Sequence, residues 1–236
     1  MINRIAIIPA RGGSKRIKNK NIKPFCGKPI INYTLDTIIK SKLFKKIHVS
    51  TDSKEITKVC RKKIKIDFPR PKKLSGDRVS IMSVVQYVLK EYSKIKIHFD
   101  EAWLIFPCSP LIEVKDYYKI SKLLKKKNKT ILTVCDFPSP VERSYYLNKS
   151  KLLVAKNKKN FNKLSQDFKQ AFYETGSIMA IPKNNFKNIT KKPNLNNLYP
   201  YILERYKSID INNISDWKFA EIVFKSFNYK NNEKKL

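Results

Sequence analysis

The chain has 236 residues, 42% of them hydrophobic, and carries 51 lysines and arginines against 19 acidic residues for a formal net charge of +32. Length and apolar content together suit one packed domain, or at most two small ones, and exclude a disordered or fibrous chain. No apolar run approaches the ~18 residues a membrane helix needs, and the opening residues lack a signal-peptide pattern, so a cytoplasmic protein with no membrane partner is expected.

Charge alone would suggest a nucleic-acid partner. Only eight of the basic residues are arginines, however, whereas phosphate and base recognition favours the bidentate guanidinium. The lysines are spread along the whole chain, as on a solvated surface, so no specific nucleic-acid partner is expected. Cys26, Cys60, Cys108 and Cys135 are widely spaced with no Cys-x-x-Cys, a spacing of separate thiols and not of a zinc site or disulfide framework.

In chain order, Arg4–Pro9 is a strand, followed by a polar loop from Arg11 to Lys23. Pro29–Lys40 has helical spacing with proline in the tolerated first turn. Lys46–Ser50 is a second strand, and Thr51-Asp52-Ser53 ends it and caps a helix to about Lys62. Ile64–Ile66 is a weak strand. Ser80–Glu91 is a helix with Val84, Val85, Val88 and Leu89 on one face. Ala102–Phe106 is a buried strand, Glu113–Lys126 a helix and Thr130–Cys135 a strand. Residues 138–176 have few clean periods and form an excursion from the core. Ser177–Ile181 and Tyr206–Ile211 are strands, Ile214–Phe227 is a final helix, and 228–236 is a tail outside a single domain of residues 1–227. Alternation of this kind predicts an α/β fold with a mainly parallel sheet and helices on both faces.

The strongest chemical signal is Pro9-Ala10-Arg11-Gly12-Gly13-Ser14-Lys15-Arg16, continuing to Lys20-Asn21. It follows the first strand directly, where an open α/β sheet places its ligand. Gly12-Gly13 would let the backbone turn its amides inward as an anion nest. Arg11 suits a bidentate grip on a phosphate, with Lys15 and Lys20 as point charges. Neither the Walker pattern nor Gly-x-Gly-x-x-Gly is present.

The longer pattern resembles the sugar-nucleotide cytidylyltransferases, which make CMP-sialic, CMP-pseudaminic and CMP-legionaminic acids. It comprises Ile7 to Arg16, Lys20-Asn21-Ile22, Gly27-Lys28-Pro29-Ile30-Ile31, Val49-Ser50-Thr51-Asp52, Arg70-Pro71, Leu74, Asp77, Pro107 to Leu111, Ser208 to Ile211 and Asp216-Trp217. The likeness spans roughly residues 4 to 225. Ser165-Gln166-Asp167 with Tyr173 and Gly176, and Pro138-x-Pro140-x-x-Arg143, look most like the pseudaminic acid branch. A CMP-sialic, CMP-legionaminic or CMP-Kdo synthetase and a catalytically weak nucleotide-binding homologue stay open as alternatives.

The resemblance implies a Rossmann-like nucleotidyltransferase fold, a homodimer with a dimerisation arm inserted late in the chain, CTP and a nonulosonic acid as substrates, and Mg²⁺ as cofactor. Arg11 and Lys20 match the family's phosphate-binding pair. Ala10, Gly12, Gly13, Ser14 and Asn21 match its nucleotide-contacting loop. Arg70 and Ser80 fall where the family meets cytidine, with Pro107 and Ser109 bordering that pocket. Arg70 as a loop lock and Ser80 as a helix cap are the structural alternatives. Gln166, Asp167 and Tyr173 match the sugar-facing segment. Asp210 and Asn212 fall on the metal motif, where the family carries Asp-x-Asp; asparagine keeps an oxygen donor and loses a charge. Two other departures are Lys18 where the loop often has proline, and Leu164 where the pseudaminic branch tends to have arginine.

Overall fold

The computed structural model describes residues 2–160, 162–188 and 198–233. A six-stranded sheet organises them, in the order β10 (Leu198–Ile202), β6 (Thr130–Asp136), β9 (Phe172–Pro182), β5 (Glu101–Ile105), β1 (Arg4–Pro9) and β4 (Lys46–Ser50). β1 runs parallel to β4 and β5, and β10 parallel to β6; β9 alone is antiparallel to its neighbours β5 and β6. The expected mainly parallel α/β sheet is therefore the observed one.

Alternation along β1 explains how both faces become covered. Ala6 and Ile8 enter one core with Leu35 and Ile38 of α1 (Ile30–Ser41), Ile56 of α2 (Lys54–Cys60), and Tyr117 and Ile120 of α4 (Val114–Lys127). Ile5 and Ile7 point the other way, against Val85, Val88 and Tyr92 of α3 (Ile81–Lys94). A strand apolar at every position from Ile5 to Pro9 is what burial on two faces requires. A third cluster joins Ile17, Phe25 and Ile30 to Ile211, Trp217 and Ala220, packing α5 (Ile214–Glu233) over the loop that follows β1. The small hairpin of β2 (Pro24–Phe25) and β3 (Lys28–Pro29) contributes Phe25 to it.

Helix starts follow local chemistry. Ser53 Oγ accepts from the Ile56 amide at 3.3 Å, and Ser80 Oγ from the Met82 amide at 3.3 Å, each satisfying an otherwise orphaned donor. Pro29 sits one residue before α1, at its N-cap position.

Several expectations change. Ile64–Ile66 forms no strand, and Tyr206–Ile211 is a 3₁₀ turn (Arg205–Lys207) followed by an irregular segment. That segment uses its apolar side chains in packing, with Ile211 in the third cluster, and among the described residues no strand pairs with it. α5 continues to Glu233, past the expected end at Phe227, while 234–236 of the expected tail lie outside the described residues. Within 138–176 the described chain forms a hairpin of β7 (Tyr145–Leu147) and β8 (Leu153–Ala155), 3₁₀ turns and the start of β9. Among the described residues no helix is long and apolar enough to cross a membrane.

One buried polar contact yields a test of the core. His48 on β4 is fully buried, its Nδ1 lies 3.2 Å from the Tyr92 hydroxyl, and its Nε2 has no partner among the described residues. Burial lowers its pKa to about 4, with Lys46 and Arg70 acting in the same direction and Asp67 against them. The unfolded chain takes up this proton near pH 6.5, before the folded one does, so stability falls as pH drops from about 6.5 to about 4. Urea unfolding at pH 7.5 and pH 4.5 should show His48→Phe losing less stability than wild type between the two, by on the order of 2–3 kcal/mol. Equal losses would mean that His48 is not held neutral by the core.

Candidate active site

Parallel strands end on the same side, so the loops after β1, β4 and β5 meet at one edge of the sheet. There they enclose a cavity of about 440 Å³ lined by Arg11, Ser14, Lys15, Arg16, Lys20, Asn21, Arg70, Asp77, Pro107, Cys108, Gly176, Asp210 and Asn212, among others. Five cationic side chains thus converge on one concavity, which suits a polyanion.

Loop 10–22 is fastened residue by residue. The Ala10 amide continues the sheet by donating to Ser50 C=O at 2.9 Å, the Gly12 amide donates to Asp52 Oδ1 at 2.9 Å, and the Ser14 amide donates to Gly12 C=O at 2.9 Å. Neither Gly12 nor Gly13 adopts a left-handed backbone, so an anion nest here would have to come from a turn and not from an αR-αL pair. Gly12 has a different use: a Cβ there would lie 3.0 Å from the Ser53 Cβ, and its absence lets the loop lie against Asp52-Ser53. Around Gly13 there is open space. Asn21 is buried; its Nδ2 donates to Arg11 C=O at 3.0 Å and its Oδ1 accepts from the Cys108 thiol at 3.5 Å, joining the loop to the end of β5.

The cations differ in their partners. Asp77 holds both Arg11 and Lys15, each at 2.5 Å, and these two lower its pKa. Lys20 Nζ donates to Ile211 C=O at 2.7 Å. Arg70 is buried, with Nη2 on Ser50 C=O at 2.7 Å and Nε on Ser50 Oγ at 3.2 Å, and burial lowers its pKa from the ordinary value. It therefore locks the loops after β4 and also lines the cavity. Cys108, half-buried in the same wall, has its thiol pushed up to about 12 by burial, which makes it a poor nucleophile at neutral pH.

Asp210 faces this cationic side. Asn212 Nδ2 donates to Asp210 Oδ2 at 2.5 Å, and Asn212 Oδ1 accepts from Arg16 Nη2 at 2.7 Å. β9 approaches closely at Gly176, whose φ of 60° favours glycine. Glu174 nearby has its carboxyl pKa raised by partial burial and by the Asp210 charge. Lys207 anchors the Asp210 segment from behind. Its side chain is 0% exposed, and its ammonium lies 2.6 Å from Glu113 and 2.9 Å from Asp116 at the start of α4. Burial opposes that charge, yet the two carboxylates outweigh it and raise the lysine pKa.

Of the residues singled out from sequence, Arg11, Ser14, Lys20, Asn21, Arg70, Pro107, Asp210 and Asn212 share the cavity. Ala10, Gly12 and Gly13 lie in the loop behind it, Ser109 stands just past the lining Cys108, and Ser80 is exposed at the cap of α3, next to the lining Ile81. Gln166 and Asp167 are exposed on a 3₁₀ turn away from the cavity wall, where Asp167 Oδ2 accepts from the Leu164 amide. Tyr173 shares a hydrogen bond of 3.0 Å with Ser208 Oγ and packs edge-on against Phe137. Arg16, Cys108 and Lys207 had drawn no role from sequence; for Lys207 nothing distinguishes it locally from the other lysines.

A family model described as cytidylyltransferase matches residues 5–216. The chain belongs to the cytidylyltransferase family. It is thus an enzyme of nucleotidyl transfer, in line with its motifs. It is 31% identical over 226 residues to the pseudaminic acid cytidylyltransferase of Campylobacter jejuni, covering 94% of this chain and 96% of that one. The N-acylneuraminate cytidylyltransferase of Escherichia coli is 27% identical over 92% of this cytidylyltransferase and 51% of the relative. Among solved structures, a CMP-2-keto-3-deoxy-manno-octonic acid synthetase in complex with CTP superposes with a TM-score of 0.68 at 12% identity, over 95% of this chain and 99% of that one. At that identity the likeness concerns the fold.

Proposed function

We propose that this cytidylyltransferase transfers CMP from CTP to the anomeric hydroxyl of a nonulosonic acid, pseudaminic acid, and releases pyrophosphate. The end-to-end match to the Campylobacter jejuni enzyme carries the choice of acid, and the cationic cavity supports the choice of a triphosphate donor. Attack of the anomeric oxygen forms a new bond to the α-phosphorus as the bond to the pyrophosphate oxygen breaks, and the hydroxyl proton is released to solvent. There is little covalent work for the protein here; charge and alignment must supply the rate.

Arg11, Lys15 and Lys20 take the phosphates, which replace the partner that Asp77 provides to the first two. Ser14, Asn21 and the Ala10–Gly13 backbone shape the loop around them, and Arg70, Ser80, Pro107 and Ser109 border the cytidine. Mg²⁺ is the cofactor on this reading, and it neutralises phosphate charge when bound. Among the described residues no cluster of three or more His, Cys, Asp or Glu could hold a metal alone. Mg²⁺ binds through one or two carboxylates together with substrate phosphates. Asp210 supplies a carboxylate, and the Asn212 amide oxygen, which accepts from Arg16, keeps a second lone pair for the ion, so the donor set fits a metal carried largely by the nucleotide.

Gln166, Asp167 and Tyr173 are assigned to the sugar side. Tyr146, Leu147, Leu152 and Leu153 on the β7–β8 hairpin are each at least 60% exposed, an apolar surface suited to a second copy of the chain. The enzyme is accordingly read as a cytoplasmic homodimer with 138–176 as its arm.

Donor choice tests the nucleotide half of this reading. A pocket that pairs polar groups with cytosine leaves them unpaired against uracil, so UTP should be used at least about 10²-fold less efficiently than CTP. Pyrophosphate release with pseudaminic acid and each nucleotide measures this; equal kcat/KM for UTP and CTP would contradict it.

A further inference from the structure

An acceptor of this class carries its carboxylate on the same carbon as the hydroxyl that attacks. Whatever group reads that carboxylate must therefore lie within a few ångströms of the reacting oxygen, near Asp210. This constraint rests on the function proposed above, and it can be applied to each cation in the cavity.

Arg11 and Lys15, which stand together on Asp77, are assigned above to the phosphates. Arg70 is buried against Ser50 beneath the loops after β4. Lys20 offers a point charge from the Ile211 carbonyl. Arg16 differs from all of these. It is exposed in the cavity, it stands at Asn212, two residues from Asp210, and its partner there is a neutral amide oxygen at 2.7 Å. Among the described residues no carboxylate pairs with it. A guanidinium held by one nitrogen keeps a planar fork of donors, the geometry that matches a carboxylate in bidentate fashion.

We infer that Arg16 is the specificity-determining residue for the acceptor carboxylate, and that Asn212 serves to keep it available. The amide works in two directions. It donates to Asp210 and accepts from Arg16, whereas an ionised carboxylate at the same place could not donate to Asp210 and would hold Arg16 as an ion pair. Aspartate at 212 would repel Asp210 wherever no cation lies between them, and would tie Arg16 more tightly through an ion pair. The asparagine that departs from the Asp-x-Asp pattern thus acquires a function in acceptor binding.

The test is steady-state kinetics at saturating Mg²⁺ on wild type, Arg16→Ala, Arg16→Lys and Asn212→Asp, with CTP and pseudaminic acid varied separately. Inhibition by the carboxamide analogue of the acid is measured alongside. Arg16→Ala should raise the KM for the acid about 10- to 100-fold, the scale for losing a hydrogen-bonded charge partner, and leave the KM for CTP within about twofold. Arg16→Lys should recover only part of this, because a point charge lacks the fork. Asn212→Asp should also raise the acid KM. Wild type should favour acid over carboxamide, and Arg16→Ala should lose most of that preference, a change that a merely structural role would not produce. An acid KM unchanged in Arg16→Ala, or a rise confined to the CTP KM, overturns the assignment and places Arg16 on a phosphate or on the loop alone. If wild type turns over no nonulosonic acid at all, the proposed function itself has failed.

Discussion

Asp210→Asn is expected to lower kcat by at least about 10³-fold with little change in the thermal midpoint. The size follows from charge: a metal at a developing phosphate charge contributes several kcal/mol, and each 1.36 kcal/mol is tenfold in rate. Since position 212 is already an amide, Asp210 is the carboxylate of the pair, and the substitution removes it. The fold should survive, because Asp210 is exposed and an asparagine oxygen can still accept from Asn212 Nδ2. Burial of Lys207 against Glu113 and Asp116 also keeps the segment anchored independently of residue 210. Pyrophosphate release titrated with Mg²⁺ reads the effect. A variant with the wild-type midpoint and plateau would remove residue 210 from the metal site.

Lys20→Ala should lower kcat by about 10²- to 10³-fold, the scale for losing one preorganised charge aimed at the transition state. Lys20 is half-buried, and its ammonium on the Ile211 carbonyl spans from the loop after β1 to the segment that carries Asp210. On the proposed function it stands where the triphosphate charge meets Asp210. The loss should fall mainly on kcat, since Arg11 and Lys15 remain to bind ground-state nucleotide. Thermal unfolding of the variant separates chemistry from packing, and wild-type turnover would remove Lys20 from the mechanism.

The parts of the fold legible in sequence were those with a strong local period. β1 is apolar at consecutive positions because both its faces are covered, and α3 shows its valine stripe because only one face packs. β10 shows no strand pattern in the sequence because Pro200 interrupts it; an edge strand tolerates a proline there, pairing with Leu132 of β6. The first part of β9 was hidden by polar residues and by the irregularity around Gly176, where the register with β6 shifts. Tyr206–Ile211 alternates like a strand, but Lys207 is buried as an ion and Ile211 is claimed by the α5 cluster. The loop of residues 10–22 was legible because its residues are contiguous. The ties that position it are long-range: Arg11 with Asp77, Arg16 with Asn212, and Lys207 with Glu113 and Asp116. No local pattern announces such pairs.

The most direct test is to incubate the purified protein with CTP, Mg²⁺ and pseudaminic acid and follow the product by mass spectrometry with pyrophosphate measured in parallel. Sialic and legionaminic acids serve as competitors in the same assay. The proposed function predicts CMP-pseudaminic acid formed in equal amount with pyrophosphate, at a kcat/KM above those for the other two acids. Pyrophosphate release that does not depend on the acid, or a higher kcat/KM for sialic or legionaminic acid, would contradict it.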